Sequence, residues 1–491
     1  MNDLQKLLKF DSETHALAQI SGRLGWDQET MMASGSAEQR GAEIAAIEGI
    51  LHARRCDDQV GEWLSNINAE SLDEIAKAQL REIKRSFERA IKVPGDLAQL
   101  IARTTSVSQG KWAAARADNN FSAFVPVLEE VLNLKREEGQ ALATNADLYD
   151  TMLLDYEPGT TANKLSKMFG ALRPGLVALR GAILEKEPVG KLQGPFDEVT
   201  QIKLSLLLAK TFGYDLNRGR IDKAVHPFSS GSGQDVRITT RTNLHDPFNC
   251  FYSTIHEVGH GSYEQNIDPK YSLTAIGQGA SMGVHESQSR IYENQLGRSR
   301  AFTSWLFMQM KKHFGDFGIG DADEFYKIVN SVNKGFIRTE ADEVQYNLHV
   351  LLRFDLERAL VSGDLLVKDL ESAWNDRFYQ DFGYNVKSAS DGCLQDVHWS
   401  VGLFGYFPTY SLGNVYAGCL HEMLRKSCPQ LDNDLCKGNL TPATNWLQKK
   451  LQRHGALKLP SQTISDACGF EPSEVPLLTY LQTKFSEIYD L

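Results

Sequence analysis

The run Asp235-Val-Arg-Ile-Thr-Thr-Arg-Thr242, with Ser229-Ser-Gly-Ser-Gly233 just before it, decides the fold class. The first alternates and is rich in β-branched residues, so it reads as a strand, whereas the glycine–serine tract reads as a loop. From Phe251 almost to the C-terminus apolar residues recur instead at helical spacing, and so they do over the first two hundred residues. The expectation is a mainly α fold with one small sheet within about 219–248. A small sheet among many helices needs a reason, and an extended chain pairing with its edge is one.

Ser36-Ala-Glu-Gln39 has the form of a capping box and opens a helix carrying Ile44, Ile47, Ile50 and Leu51. Ser71-Leu-Asp-Glu74 opens another, with Ile75, Leu80, Ile83, Phe87 and Ile91 on one face, and Val93-Pro94-Gly95 stops it. Further helical patterns cover about 96–117, 122–143, 161–186 and 195–213. No repeat period and no long Pro/Ser/Gly linker divides the chain, so residues 1–491 are expected to form a single domain.

Composition narrows the function classes. With 42% hydrophobic and 23% charged residues the chain is globular, which excludes disorder and collagen-like repetition. A net charge of −11 argues against nucleic acid or an anionic membrane as the main partner. Seven cysteines (56, 250, 393, 419, 428, 436 and 468) include no C-x-x-C pair, so they read as reduced thiols rather than a disulfide framework or a thiolate zinc site. The N-terminus lacks an apolar signal core, and no stretch approaches the roughly 18 apolar residues of a membrane span. A soluble, cytoplasmic protein is expected.

The chemistry stands in the helix after the sheet, at His256-Glu-Val-Gly-His260. The i, i+4 spacing puts both imidazoles on one helical face, about 6 Å apart at Cβ, where they can share an ion. Glu257 flanks that pair, where a carboxylate can take a proton from activated water. A catalytic site takes three protein ligands, and the donors that follow are Glu264, His285, Glu286 and Glu293. Glu264 shares the His260 face and can instead support a ligand. Spacing leaves His285, Glu286 and Glu293 open, because Glu286, Arg290 and Glu293 also fit a salt-bridged surface helix.

At this point the chain resembles the carboxypeptidase Taq family of zinc metallocarboxypeptidases, related in fold to angiotensin-converting enzyme and neurolysin. The resemblance rests on Trp26-Asp-Gln-Glu-Thr-Met-Met32, His226-Pro-Phe228, Asp235-x-Arg237-x-Thr239, His256-Glu-x-x-His260, His285-Glu-Ser-Gln288, Ile337-Arg-x-x-Ala-Asp342 and Gly392-x-x-Gln395-Asp-x-His398-Trp399. The chain departs from the family pattern at Ala33-Ser34, where proline is expected. The resemblance implies zinc ligands His256, His260 and Glu286, one ion per subunit with cobalt able to substitute, Glu257 as general base, and a homodimer; a His/His/Glu donor set tolerates manganese as well. The expected fold is a large multi-helix, single-core one. In it a helical lid region spans about 1–110, metal-site helices about 250–297, and a deep central groove runs beside the small sheet. The expected substrates are peptides with a free C-terminus, of broad side-chain type, losing one residue at a time. An endo-oligopeptidase or dipeptidase would share every metal-site residue. A non-catalytic helical metal-binding protein is the reading from a different class.

Other residues carry lesser expectations. Arg338 lies in a helical pattern near Glu340 and Asp342, where an ion pair is the plain reading. A guanidinium also recognises a terminal carboxylate through two parallel hydrogen bonds, and the family motif favours that role. His398 and Tyr410 flank an aromatic run and are expected to steady the developing oxyanion, with Tyr406 the competitor for the tyrosine role. Tyr410 stands eleven residues before His421-Glu422, a register similar to that in angiotensin-converting enzyme. His226 and Arg237 are candidate substrate contacts, although with Asp235 they can also simply brace the sheet. Gln395 and Asp396 are candidates to orient the metal helix or His398.

Overall fold

Ser229–Ser232 is a strand, not the loop its composition promised. The computed structural model, which describes residues 1–143 and 147–491, shows why. Strands β1 (Ile221–Lys223), β2 (Ser229–Ser232) and β3 (Asp235–Thr240) form one sheet in the order β1-β3-β2. β1 runs parallel to β3, and β2 runs antiparallel to it with Ser232 opposite Asp235. The hairpin between β2 and β3 is therefore the two residues Gly233-Gln234, and Gly233 has a φ of +64°. Gly231 has a φ of +96°, and a Cβ on it would meet the Asp235 carbonyl at 2.1 Å. Small residues are what this hairpin needs, so a loop-like composition hides a strand.

The central strand carries the sheet's apolar face, Val236 and Ile238, both fully buried. β3 packs on the helix Pro247–Asn266 through Thr240, whose hydroxyl donates to the Cys250 carbonyl at 3.1 Å and accepts from Thr254 at 2.9 Å. The sheet thus lies against the helix that bears the His256–His260 motif.

Helices make up the rest, 69% of the chain. The four patterned stretches appear as Gly95–Ala117, Phe121–Leu142, Ala162–Leu184 and Glu198–Thr211. Two start signals act differently from their sequence reading. Ser36 precedes the helix Ala37–Arg55 but makes no side-chain cap, because the chain reaches it through a 3-10 turn, Ser34–Ser36. Ser71 likewise sits in a 3-10 turn, and Asp73 takes over by accepting from Ala76 N at 2.8 Å.

Contacts gather the chain into two compact units, both assembled from separated segments. The first comprises Met1–Ile91, Val189–Asn330 and Cys419–Pro472 and holds the sheet and the motif helix. Its core includes Phe212, with Phe302 and Tyr292 rings at 5.1 and 5.6 Å. The second comprises Lys92–Pro188, Ser331–Gly418 and Ser473–Leu491. Its core is built on the helix Glu343–Ser362, with Leu348, Leu351 and Leu352 fully buried, and on the stacked pair Phe378 and Phe382 at 4.2 Å. Each large apolar side chain so buried contributes about 1.5–3 kcal/mol. Among the described residues no helix is long and apolar enough to cross a membrane, and all seven cysteines are free.

Candidate active site

The motif helix starts where Asp246 accepts from Phe248 N at 3.1 Å and Pro247 fills the first turn. Within it Gly259 decides the approach of the next helix, Met282–Arg290. A Cβ on Gly259 would lie 2.5 Å from both the Gln288 carbonyl oxygen and Ser289 Cα. Ser281 caps that second helix at Val284 N, and beyond Arg290 it widens into a π-helix, Ile291–Leu296. Such widened turns are enriched at functional sites.

This close packing brings His256, His260 and Glu286 together, with one donor atom from each within 4.8 Å of the others. Both Nε2 atoms face one carboxylate oxygen: Glu286 Oε2 lies 3.7 Å from His256 and 3.4 Å from His260. Ligands held about 2.1 Å from a tetrahedral ion stand roughly 3.4 Å apart, so the donor set fits a small divalent cation. The far atoms are held as well. His256 Nδ1 is 2.9 Å from Glu293 Oε2, and His260 Nδ1 is 2.6 Å from His285 Nδ1. The other Glu286 oxygen is taken by Arg290 Nε at 2.7 Å.

Charge is arranged to match. Burial pushes the pKa values of Glu286 and Glu293 up, but Arg290 and the histidines outweigh it for Glu286, and His256, Arg290 and Arg298 do so for Glu293. Both therefore stay ionised, Glu293 at about 2. Burial drives His260 down to about 3, leaving it neutral and able to donate a lone pair. Burial opposes protonation of His256 too, but the carboxylates of Glu286 and Glu293 prevail and shift it upward. Glu257, 6% exposed, is pushed by burial to about 7, close to where a general base works best.

The second unit has its own cluster. Arg338 sits in a 3-10 turn, Arg338–Glu340, rather than in a helix. Its expected partners are elsewhere: Glu340 is exposed, and Asp342 caps the following helix at Val344 N and Gln345 N. Arg338 instead gives Nε and Nη2 to Asp396 Oδ1 at 3.1 and 2.8 Å, and Nη1 to Tyr346 OH at 3.1 Å. Arg353, fully buried, holds the other Asp396 oxygen at 2.7 Å. Burial alone would raise Asp396, yet the two guanidinium groups hold it well below the usual carboxylate range. His398 Nε2 lies 3.1 Å from Tyr410 OH, against the Phe407 ring at 4.4 Å, and burial lowers the imidazole to about 4.

A family model, carboxypeptidase Taq (M32) metallopeptidase, matches residues 6–485. The chain belongs to this family. It is 37% identical to Thermostable carboxypeptidase 1 of Thermus thermophilus, covering 99% of this chain and 98% of that protein. It is 33% identical to Carboxypeptidase 1 of Bacillus subtilis, over 99% and 97%. The crystal structure of the M32 carboxypeptidase from Deinococcus radiodurans superposes with a TM-score of 0.96 at 34% identity, over the whole of both chains. This protein is thus a metallocarboxypeptidase.

In this metallocarboxypeptidase the four candidate donors take different places. Glu286 faces both imidazoles, while Glu293 and His285 each stand behind one, and Glu264 stands behind His285 at 3.0 Å. Tyr410 rather than Tyr406 is bonded to His398, although the Tyr406 ring is also near, at 5.6 Å. Gln395 serves the Arg338 turn. Its side-chain oxygen accepts from Arg338 N, and its amide donates to three carbonyls around it. Asp396 likewise serves the arginines, and His398 Nδ1 is 4.0 Å away. Arg237 binds Asp235 through Nε and Nη2 and lies 4.6 Å over the Trp26 ring, and Arg23 also binds Asp235. These contacts brace the sheet against the first helix, Asp3–Thr30. His226 is exposed between β1 and β2. Sequence reasoning missed Arg353; its signal was a lone cation within an apolar helical stretch, Leu351-Leu-Arg-Phe354.

Proposed function

We propose that the protein is a zinc-dependent carboxypeptidase that removes single residues from the free C-terminus of peptides. The observation that carries this is the convergence of His256, His260 and Glu286 with buried Glu257 beside them. Cobalt or manganese can replace zinc at such a nitrogen–oxygen donor set. When bound, the ion supplies Lewis acidity to the scissile carbonyl and lowers the pKa of water to about 7. Glu257 takes the proton of the attacking water and passes it to the leaving amine.

The second cluster supplies the remaining roles. Asp396 and Tyr346 use three N–H groups of Arg338, which leaves two of the guanidinium's five donors for a terminal carboxylate. With neutral His398 donating to the Tyr410 oxygen, the phenol proton is free to meet the oxyanion that develops at the carbonyl. Residues 1–491 act as one catalytic domain, in a cytoplasmic homodimer with one ion per subunit. Glu257→Gln tests the mechanism. Zinc content by atomic absorption should equal that of the wild type while kcat falls about 100- to 10,000-fold. Normal turnover in that variant would refute the assignment.

A further inference from the structure

The two ligand histidines are backed differently, and the difference fixes a proton. His256 Nδ1 meets a carboxylate, Glu293, directly. His260 Nδ1 meets another imidazole nitrogen, His285 Nδ1, at 2.6 Å, and His285 Nε2 meets Glu264 Oε1 at 3.0 Å. We propose that His285 and Glu264 form a positioning pair that holds His260 in the tautomer whose Nε2 lone pair serves the metal ion. The inference rests on the reading of His256, His260 and Glu286 as the metal donors.

Two ring nitrogens 2.6 Å apart need a single proton between them. The Glu264 carboxylate only accepts, and its Oε1 already receives Gly279 N at 2.9 Å, so the proton on His285 is at Nε2. That leaves His285 Nδ1 bare as an acceptor, and the shared proton belongs to His260 Nδ1. His260 Nε2 is then unprotonated, on the side where Glu286 Oε2 lies 3.4 Å away. The surroundings serve the pair. A Cβ on Gly279 would come within 2.7 Å of the His285 ring, and Tyr263 packs on that ring at 5.3 Å. The second Glu264 oxygen is buried with no partner among the described residues, so the hydrogen bonding of this carboxylate is directed at His285 and Gly279. A ligand whose supporting partner is removed typically loses about 10- to 100-fold in metal affinity.

The test is zinc binding, measured by competition with a chromophoric chelator, together with the thermal unfolding midpoint of each metal-free protein. His285→Leu should weaken zinc binding about 10- to 100-fold in a protein that still unfolds in one cooperative transition, whatever midpoint the loss of a partner for Glu264 gives it. His285→Gln, whose side-chain oxygen can accept the same proton, should restore most of the loss. Equal affinity in His285→Leu, or a His285→Gln variant as weak as His285→Leu, would overturn the pair's role and reduce His285 to packing. If His285→Leu does not fold, Glu264→Ala decides: several-fold weaker binding supports the pair and wild-type affinity refutes it. A wild-type protein that binds no zinc would instead remove the metal-site reading on which the pair depends.

Discussion

The two side-chain clusters bury charge by opposite routes. In the first unit two carboxylates, Glu286 and Glu293, are held by Arg290 and Arg298 while burial keeps the His260 lone pair available. In the second unit two guanidinium groups share one carboxylate, Asp396, so the cluster carries an excess of positive charge. The first gathers a donor set that fits a cation and the second keeps a net positive charge, and the carboxylates Glu286, Glu293 and Asp396 are each paired with arginine. The same contrast suits a hydrolase that must bind an ion and recognise a carboxylate.

Breaking the second cluster should have the larger effect on stability. Arg353→Met strips Asp396 of one partner and should cost about 3–5 kcal/mol, read by denaturant unfolding. His398→Ala should leave zinc content intact and lower kcat about 100- to 1,000-fold, and Tyr410→Phe should do so to a similar degree; Tyr406→Phe should not. If Tyr406→Phe is the damaging change, the oxyanion role moves to that residue.

A pH effect separates the second unit's core from its cluster. Glu357 accepts from Tyr149 OH, Trp399 Nε1 and Gly405 N, yet burial pushes it to about 7. The folded protein keeps that proton to about pH 7, whereas the unfolded chain releases it near 4.5. The folded state binds more protons between these values, so this contribution is complete below pH 4.5 and is lost as pH rises through about 7, on the order of 3 kcal/mol in all. Glu357→Gln, which cannot titrate, should flatten the dependence of stability on pH over that window. An unchanged slope would place the titration elsewhere. Gly259→Ala sharpens the first cluster instead. The added methyl must push the Met282–Arg290 helix away, which should cost about 1–3 kcal/mol and lower zinc occupancy more than stability.

The two clusters also differ in how far they could be read from sequence. The His256–His260 pair was legible because a helix turns a four-residue spacing into a shared face, and Glu257 came with it. Spacing left the third donor open, since Glu286 and Glu293 share a helical face; family resemblance named Glu286, and the close approach at Gly259 brings it to the two imidazoles. The Arg338 cluster draws on residues 338, 346, 353, 396, 398 and 410, which no local period links. Family resemblance reached Arg338, His398 and Tyr410, but their partners emerged only from the fold. The long helices were legible from apolar periodicity. β2 was not, because serine and glycine obscure a strand whose pairing comes entirely from β3.

The most direct measurement is mass spectrometry of one synthetic peptide and its C-terminal amide, each incubated with zinc-loaded protein. Stepwise loss of single residues from the free acid is expected, with little or none from the amide and no cleavage after chelation. Internal cuts in both peptides would contradict it, making the protein an oligopeptidase and leaving Arg338 without a terminal carboxylate to bind.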